Sequence, residues 1–482
     1  MGTTHNFMRR LSITRRKLLG GMLVGAGALL TGCQMKSLGE RTKHKGNVLL
    51  DQMPSYPPGL VDAIQLPLLE ALYGRRSRRF ALGNSIPDGP LAFTSAHDPL
   101  PLSELEQMLL LTTIAGNTGW QFLIPHNQNY LPNIPNYAAA AGGRTFPSGA
   151  GFHTTEFFYT DDNGTYFFPT RDAPSLLERS ADGEVDLNKY LNAHRSRIRK
   201  LSDTRLHTPA APQHMEMHNT WCGNRPGSTL IIPVSDLAEH HLLNLCYIVQ
   251  NGACIYDDVN KRAIPGIERF KHLVDIENPY PLTFLEQTSL TEVTVENSTA
   301  CYAGMLMLQA MGLGGWMYEG INPFSILGAS GDPKVPGLGF RYDIDERWPL
   351  PNVTGLPGIF EGHCPPHYKD MREAVEAVVQ RKFGPGGPFN PDTQGPYRDN
   401  PQIRGSAKVH DEEFKDCVST MALYVYDQFG RCPGTVPSMF AMMFLQAQHL
   451  DLEFYDKHFK SGAYLRTHAE HMKQWHSPGS SA

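Results

Sequence analysis

The sequence predicts a mixed α+β protein, and three observations carry that expectation. Apolar residues recur at helical spacing in "LPLLEALYGRRSRRF" (66–80), and "PLSELEQMLLLTTIAG" (101–116) follows as a second helix. "TTEFFYT" and "TYFFPT" flank "DDNG" over 154–170, the pattern of a β-hairpin. "STLIIPV" (228–234) is a short apolar run suited to a buried strand.

The bulk composition agrees. The chain has 482 residues, 41% hydrophobic and 19% charged, enough to bury a real core. Its 45 glycines and 37 prolines favour long irregular connections over a helical bundle. Net charge is −5 with no long basic run in the body, so nucleic acid is not an expected partner.

The first element is a signal. In "TRRKLLGGMLVGAGALLTGC", Arg15 and Arg16 precede 15 weakly apolar residues with five glycines, too short and too glycine-rich to span a membrane. A twin arginine in this setting is the mark of a twin-arginine export signal. "LLTGC" at 29–33 resembles a bacterial lipobox, which makes Cys33 the expected lipid attachment site. The expected organisation is a signal over 1–32, a tether over 33–57, a main domain over 58–383 and a C-terminal extension over 384–482. Cleavage removes five basic groups and no acid, which takes the chain to about −10. The cysteines besides Cys33 are seven, widely spaced and without a CxxC pair, so neither a disulfide framework nor a zinc motif is expected.

Further elements follow in order. Ser103 and Glu106 have capping-box spacing, and Gly116 stops that helix. Residues 121–146 are loop-like, and 170–290 is irregular apart from "STLIIPV". "ACYAGMLMLQAMG" (300–312) is a nearly all-apolar helix, suited to a domain centre or a subunit interface. "PHYKDMREAVEAVVQRKFG" is amphipathic, with Met371, Val375, Val378 and Val379 on one side and Gly384 at its end. A loop leads to two more expected helices at about 411–430 and 437–459.

"YGRRSRRFALG" (73–83) sets four arginines around one serine. This is either a solvated helix end or a place where forked donors meet an anion. Its match to R-R-S-x-R through Arg75, Arg76, Ser77 and Arg79 resembles the opening of the nitroreductase-like flavoproteins, with Arg78 at the variable place. "GRTFPSGAGFHTTEFFY" is similar to a stretch of the family's SagB-type branch, through Arg144, Pro147, Ser148, Gly149 and Ala150. "MLMLQAMGLGGWMYEG" is similar to the family's core helix, its Gly-Leu-Gly turn over Gly312–Gly314, and a strand ending at Glu319–Gly320.

The resemblance implies an α+β nitroreductase-like fold with a central, mostly antiparallel sheet flanked by helices. Large insertions, mainly over 155–290, and the helical C-terminal extension account for the excess length. It implies FMN as cofactor, held by Arg75, Arg76, Ser77, Arg79, Pro147, Ser148, Gly149, Ala150, Glu319 and Gly320 at a homodimer interface. Arginine forks suit the phosphate, and positive charge near N1 stabilises reduced flavin. Arg78 is expected to tolerate alanine. Lys369 and Arg372 are candidates by position for the basic pair that completes the phosphate site. No acid–base residue is assigned; Tyr302, Tyr318 and His153 lie near the motifs with structural roles expected. No metal site is expected: "HMEMH" (214–218) is read as a loop, and "GHCPPH" (362–367, with His363, Cys364 and His367) as a helix start with an incidental histidine pair.

The function so expected is hydride transfer between flavin N5 and a small or peptide-derived substrate, outside the cytoplasm and on a lipid anchor. The alternative is a non-catalytic surface lipoprotein that uses the same fold as a binding scaffold.

Overall fold

Strand β4 (Thr229–Asp236) is buried along its whole length and organises the main sheet. The other strands are β1 (Thr155–Asp161), β2 (Gly164–Phe168), β3 (Arg199–Ser202), β5 (Gly314–Tyr318), β6 (Met439–Phe440) and β7 (Phe444–Gln448). Their order is β5-β7-β4-β1-β2-β3, with β6 pairing the end of β4, and every pair is antiparallel. The computed structural model describes residues 55–126, 136–171 and 186–476. The twin arginine, Cys33 and nearly all of the expected tether lie outside them.

The hairpin expected at 154–170 is β1 and β2, with Phe157 opposite Phe168 and Asp161 opposite Gly164. Tyr159 and Tyr166 stack across it at 4.6 Å. The central antiparallel sheet is therefore present.

Helices α1 (Pro58–Gln65), α2 (Leu68–Gly74) and α3 (Glu104–Ala115) precede the sheet. α4 (Leu237–Gln250) leaves β4 directly, capped by the Asp236 side chain. α5 (Leu282–Met311) is 30 residues long, so the apolar helix expected at 300–312 is only its C-terminal part. α6 (Met371–Phe383) and α7 (Glu412–Phe429) stand where the sequence places them. α8 (Leu452–His458) and α9 (Arg466–Trp475) end the described chain.

α5 runs through two cores. Its C-terminal half, with Cys301, Met305 and Leu308, packs with α1, α3 and the sheet residues Phe157, Ile231 and Leu445. Its N-terminal end, with Leu282 and Leu285, joins a layer built by α4, α6 and α7. A third cluster covers the opposite sheet face with Phe158, Ile232, Trp316 and Phe340. No described helix is long and apolar enough to cross a membrane.

Two expectations are corrected. Residues 437–459 are not one helix: Phe444–Gln448 is β7, which lies between β5 and β4, and only Leu452–His458 is helical in that range. The segment after 384 therefore completes the sheet instead of extending it. Likewise the region 155–290 supplies β1 to β4, which run from the centre of the sheet to one edge, and the added layer begins with α4. Val48–Ala482 forms one compact unit.

Candidate functional site

The arginine turn begins where α2 stops at Gly74, with Arg75 in extended conformation at its C-cap. The four guanidinium groups then diverge. Arg78 turns inward and is 3% exposed. Its Nε donates to the Ala463 carbonyl (2.9 Å), and its two terminal nitrogens donate to Gln309 Oε1 (2.6 Å) and the Gly74 carbonyl (3.2 Å). Its own carbonyl accepts from the Gly315 amide at 2.9 Å. Burial pulls its pKa down to about 10, so it stays cationic at neutral pH. The residue expected to be dispensable is thus the bracket of the turn.

The others face outward. Arg76 is exposed and folds back on the carbonyls of Tyr73 (3.0 Å) and Arg75 (2.7 Å). Arg75 is half-buried and Ser77 exposed, and neither side chain makes a hydrogen bond or ion pair among the described residues. Arg79 lies 5.2 Å from the centre of the Trp316 ring and donates to Asn219 Oδ1 at 3.2 Å.

Asn219 links this turn to the end of β5. Its Nδ2 is buried and has no hydrogen-bond partner among the described residues. A Cβ on Gly320 would lie 2.2 Å from that nitrogen, so only glycine fits beside it. The preceding turn is just as tight: Gly312 has φ 76°, and a Cβ there would meet the Thr467 carbonyl oxygen at 2.1 Å. Arg79 and Gly320 therefore come together, whereas Glu319 is exposed. Asn219 carried no motif in the sequence, and Trp316 stood unremarked inside one.

Pro147, Ser148, Gly149 and Ala150 lie elsewhere. The Ser148 hydroxyl donates to Glu296 Oε1 at 2.5 Å, and the Thr299 hydroxyl reaches the Pro147 carbonyl at 3.4 Å. Glu296 is fully buried and also accepts from the amides of His153 (3.0 Å) and Thr154 (3.2 Å) and the Thr155 hydroxyl (2.8 Å). The loop is thus clamped on α5 at residues 292–299, while the arginine turn is clamped at Gln309. Thirteen helical residues separate Glu296 from Gln309, roughly 20 Å along the axis. One chain brings together the arginines and Gly320, and holds Pro147–Ala150 apart from them.

The remaining candidates have structural partners. Arg144 is buried and donates to the carbonyls of Gly143 (3.2 Å) and Arg171 (2.7 Å). His153 has φ 53°, and burial together with the charges of Arg144 and Arg381 holds its pKa well below the usual value. Tyr318 is buried with its hydroxyl 3.5 Å from Gln446, and Tyr302 is exposed. Arg372 is paired with Asp416, and Lys369 is exposed at the start of α6.

The histidine loops also separate. His214 Nδ1 meets the Ser325 hydroxyl at 2.9 Å, while His218 is exposed. His363 is bound to Asp236 (2.7 Å) in a network with Glu239, Arg171 and Arg381, whose two guanidinium groups balance the two carboxylates. All seven described cysteines are buried and unpaired.

These features define an α+β protein with an antiparallel sheet, one long helix crossing two cores, and an arginine turn with donors to spare. No family model matches the chain, and no curated protein does. Among solved structures, that of a "putative nitroreductase" from Ralstonia eutropha JMP134 aligns with 53% of this chain and 71% of its own. The two are 14% identical, with a TM-score of 0.25.

Proposed function

We propose that the chain is an FMN-dependent oxidoreductase with a nitroreductase-like fold, exported by the twin-arginine route, anchored through Cys33 and active as a homodimer. One observation carries this reading: the arginine turn keeps unpartnered donors beside a buried, unsatisfied amide. Arg75 and Ser77 have no protein partner among the described residues, and Asn219 Nδ2 is orphaned next to Gly320. A buried donor without a partner is costly, so a ligand acceptor at this point would offset a real penalty.

The residues fit FMN on the arginine side. Arg75, Arg76 and Ser77 would face the phosphate, whose charge near −2 calls for forked donors. Arg79, Asn219 and Gly320 would meet the ring edge. FMN, when bound, supplies hydride exchange at N5 with a small or peptide-derived substrate. Arg79, fixed by Trp316 and Asn219, would hold positive charge toward that edge without needing to reorganise.

The homodimer is supported by the separation along α5. The loop 147–150 cannot join Arg75 and Arg79 within one chain, but a second copy could present it. A stripe on α5, with Phe284, Val295 and Tyr302 each about 40% exposed, offers an apolar contact face. Natively purified protein that is yellow and releases FMN on denaturation supports the enzyme. Colourless protein that ignores added FMN leaves the binding scaffold.

A further inference from the structure

Glu106, His449, His471 and His476 come from three separate parts of the chain and turn one donor atom each toward a common point. Glu106 opens α3, His449 follows β7, His471 lies in α9 and His476 is its C-cap. Glu106 Oε1 is 3.1 Å from His471 Nε2, 3.1 Å from His476 Nε2 and 3.5 Å from His449 Nε2. His449 Nε2 and His476 Nε2 are 3.2 Å apart, and all four donors lie within 4.8 Å of one another. Four donors placed tetrahedrally about 2.0–2.1 Å from a zinc ion would be separated by about 3.3–3.4 Å. The four spacings of 3.1, 3.1, 3.2 and 3.5 Å bracket that edge, and the other two are under 4.8 Å.

Hydrogen placement points the same way. His449 Nδ1 is 2.8 Å from the Leu100 carbonyl, and His471 Nδ1 is 2.7 Å from the Met311 carbonyl. A carbonyl only accepts, so each Nδ1 carries a proton, and the neutral form of each ring has its lone pair at Nε2, the atom turned toward Glu106. In that form two lone pairs face a carboxylate oxygen. His471 is 4% exposed, and its Nε2, 3.1 Å from Glu106 Oε1, makes no well-aligned hydrogen bond among the described residues. A cation at the centre turns this repulsion into ligation, and the carbonyls on Nδ1 become the outer partners that orient metal-bound histidines. The other Glu106 oxygen accepts from the Ser103 amide at 2.6 Å, which leaves Oε1 as a single ligand atom.

We propose that Glu106, His449, His471 and His476 form a closed, tetrahedral zinc site that fastens the C-terminal segment to α3. Three imidazoles and one carboxylate fill four positions, the pattern of a structural site. Its consequence is mechanical. The fastened segment supplies the Ala463 carbonyl to Arg78, the Tyr455 hydroxyl to the Phe80 amide (3.1 Å) and the Thr467 hydroxyl to the Gln309 carbonyl (2.7 Å). The zinc would thus lock the layer on which the arginine turn rests. The inference is independent of the flavin assignment. The charge-balanced group of Asp236, Glu239 and His363 offers no such site, because two arginines already serve its carboxylates.

The test uses untagged full-length protein purified without chelators. Metal analysis should find one zinc per chain, and chelation should lower the melting temperature in a way that Zn2+ reverses and Mg2+ does not. Co2+ loaded into chelated protein should give the intense visible spectrum of a tetrahedral centre. His476→Ala, at the half-buried end of α9, keeps the protein folded and should weaken Zn2+ binding by more than the roughly 10–100-fold that loss of an outer partner costs. Metal-free purified protein whose melting is unmoved by Zn2+ would overturn the proposal. So would a His476→Ala variant with unchanged zinc content and an unchanged Co2+ spectrum.

Discussion

Arg78 and Gln309, 231 residues apart in sequence, meet in the interior at 2.6 Å through a guanidinium N–H and the amide oxygen. This contact ties the arginine turn to the end of α5, and the carbonyls of Gly74 and Ala463 complete the fork. Arg78→Ala would leave Gln309 Oε1 and two carbonyls without their donor, so it should cost about 2–4 kcal/mol of stability. Arg75→Ala, which breaks no side-chain hydrogen bond or ion pair among the described residues, should cost less than about 0.5 kcal/mol. Urea denaturation of both variants checks the contrast.

Lys382 makes the stability pH-dependent on the alkaline side. It is 1% exposed at the end of α6, with Nζ 3.0 Å from the Asn136 carbonyl, and burial pulls its pKa down to about 8. In the unfolded chain the value is about 10.4. Between these values the unfolded state binds the extra proton, so stability rises as pH increases from about 8 to about 10. The gain attributable to Lys382 should be on the order of 2–3 kcal/mol and absent in Lys382→Met. Melting temperatures across that range, compared between wild type and variant, measure it.

The stripe on α5 predicts the oligomer. Val295 and Tyr302 are seven residues apart and share one helix face, with Phe284 eleven residues before Val295. Val295→Glu puts a carboxylate into the proposed contact without touching either core, so it should convert a dimer to a monomer in sedimentation analysis. The same variant should lose flavin retention, because the loop 147–150 would come from the partner copy.

Export and anchoring rest on the first 33 residues. Changing Arg15 and Arg16 together to lysine should leave precursor in the cytoplasm. Cys33→Ser should release soluble protein or stall an unprocessed precursor. Cell fractionation decides, and processed, membrane-bound protein in the Cys33→Ser strain would contradict the anchor.

Local signals carried much of the fold. The capping box at Ser103 and Glu106, the hairpin around Asp161–Gly164 and the turn after the apolar helix at Gly312 each involve neighbours in sequence, and each forms as expected. Elements buried on every side were harder to see. α4 has almost no exposed face, since even Glu239, His240, His241 and Asn244 are buried, so its polar residues do not mark a solvent side. β7 looked like part of a helix because a strand covered on both faces loses its alternation. Candidate sites followed the same division. The arginine turn was legible as a motif, but Asn219 beside Gly320 and the convergence of Glu106 with His449, His471 and His476 depend on contacts between distant segments. The placing of Arg78 was reversed for the same reason: its partners lie 231 and 385 residues away.

The most direct test of the account is the flavin content of natively purified protein and of its Arg75→Ala and Arg79→Ala variants, measured by absorbance and by FMN release. A lost charge-assisted hydrogen bond costs about 1.5–3 kcal/mol, so each variant should bind FMN roughly ten- to a hundredfold more weakly while staying folded. Arg75→Lys and Arg79→Lys should recover only part of the affinity, because an ammonium cannot reproduce the fork. Stoichiometric FMN in the wild type and weakened binding in both alanine variants is the predicted result. Equal FMN occupancy in wild type, Arg75→Ala and Arg79→Ala, or no FMN binding in any of them, would contradict it.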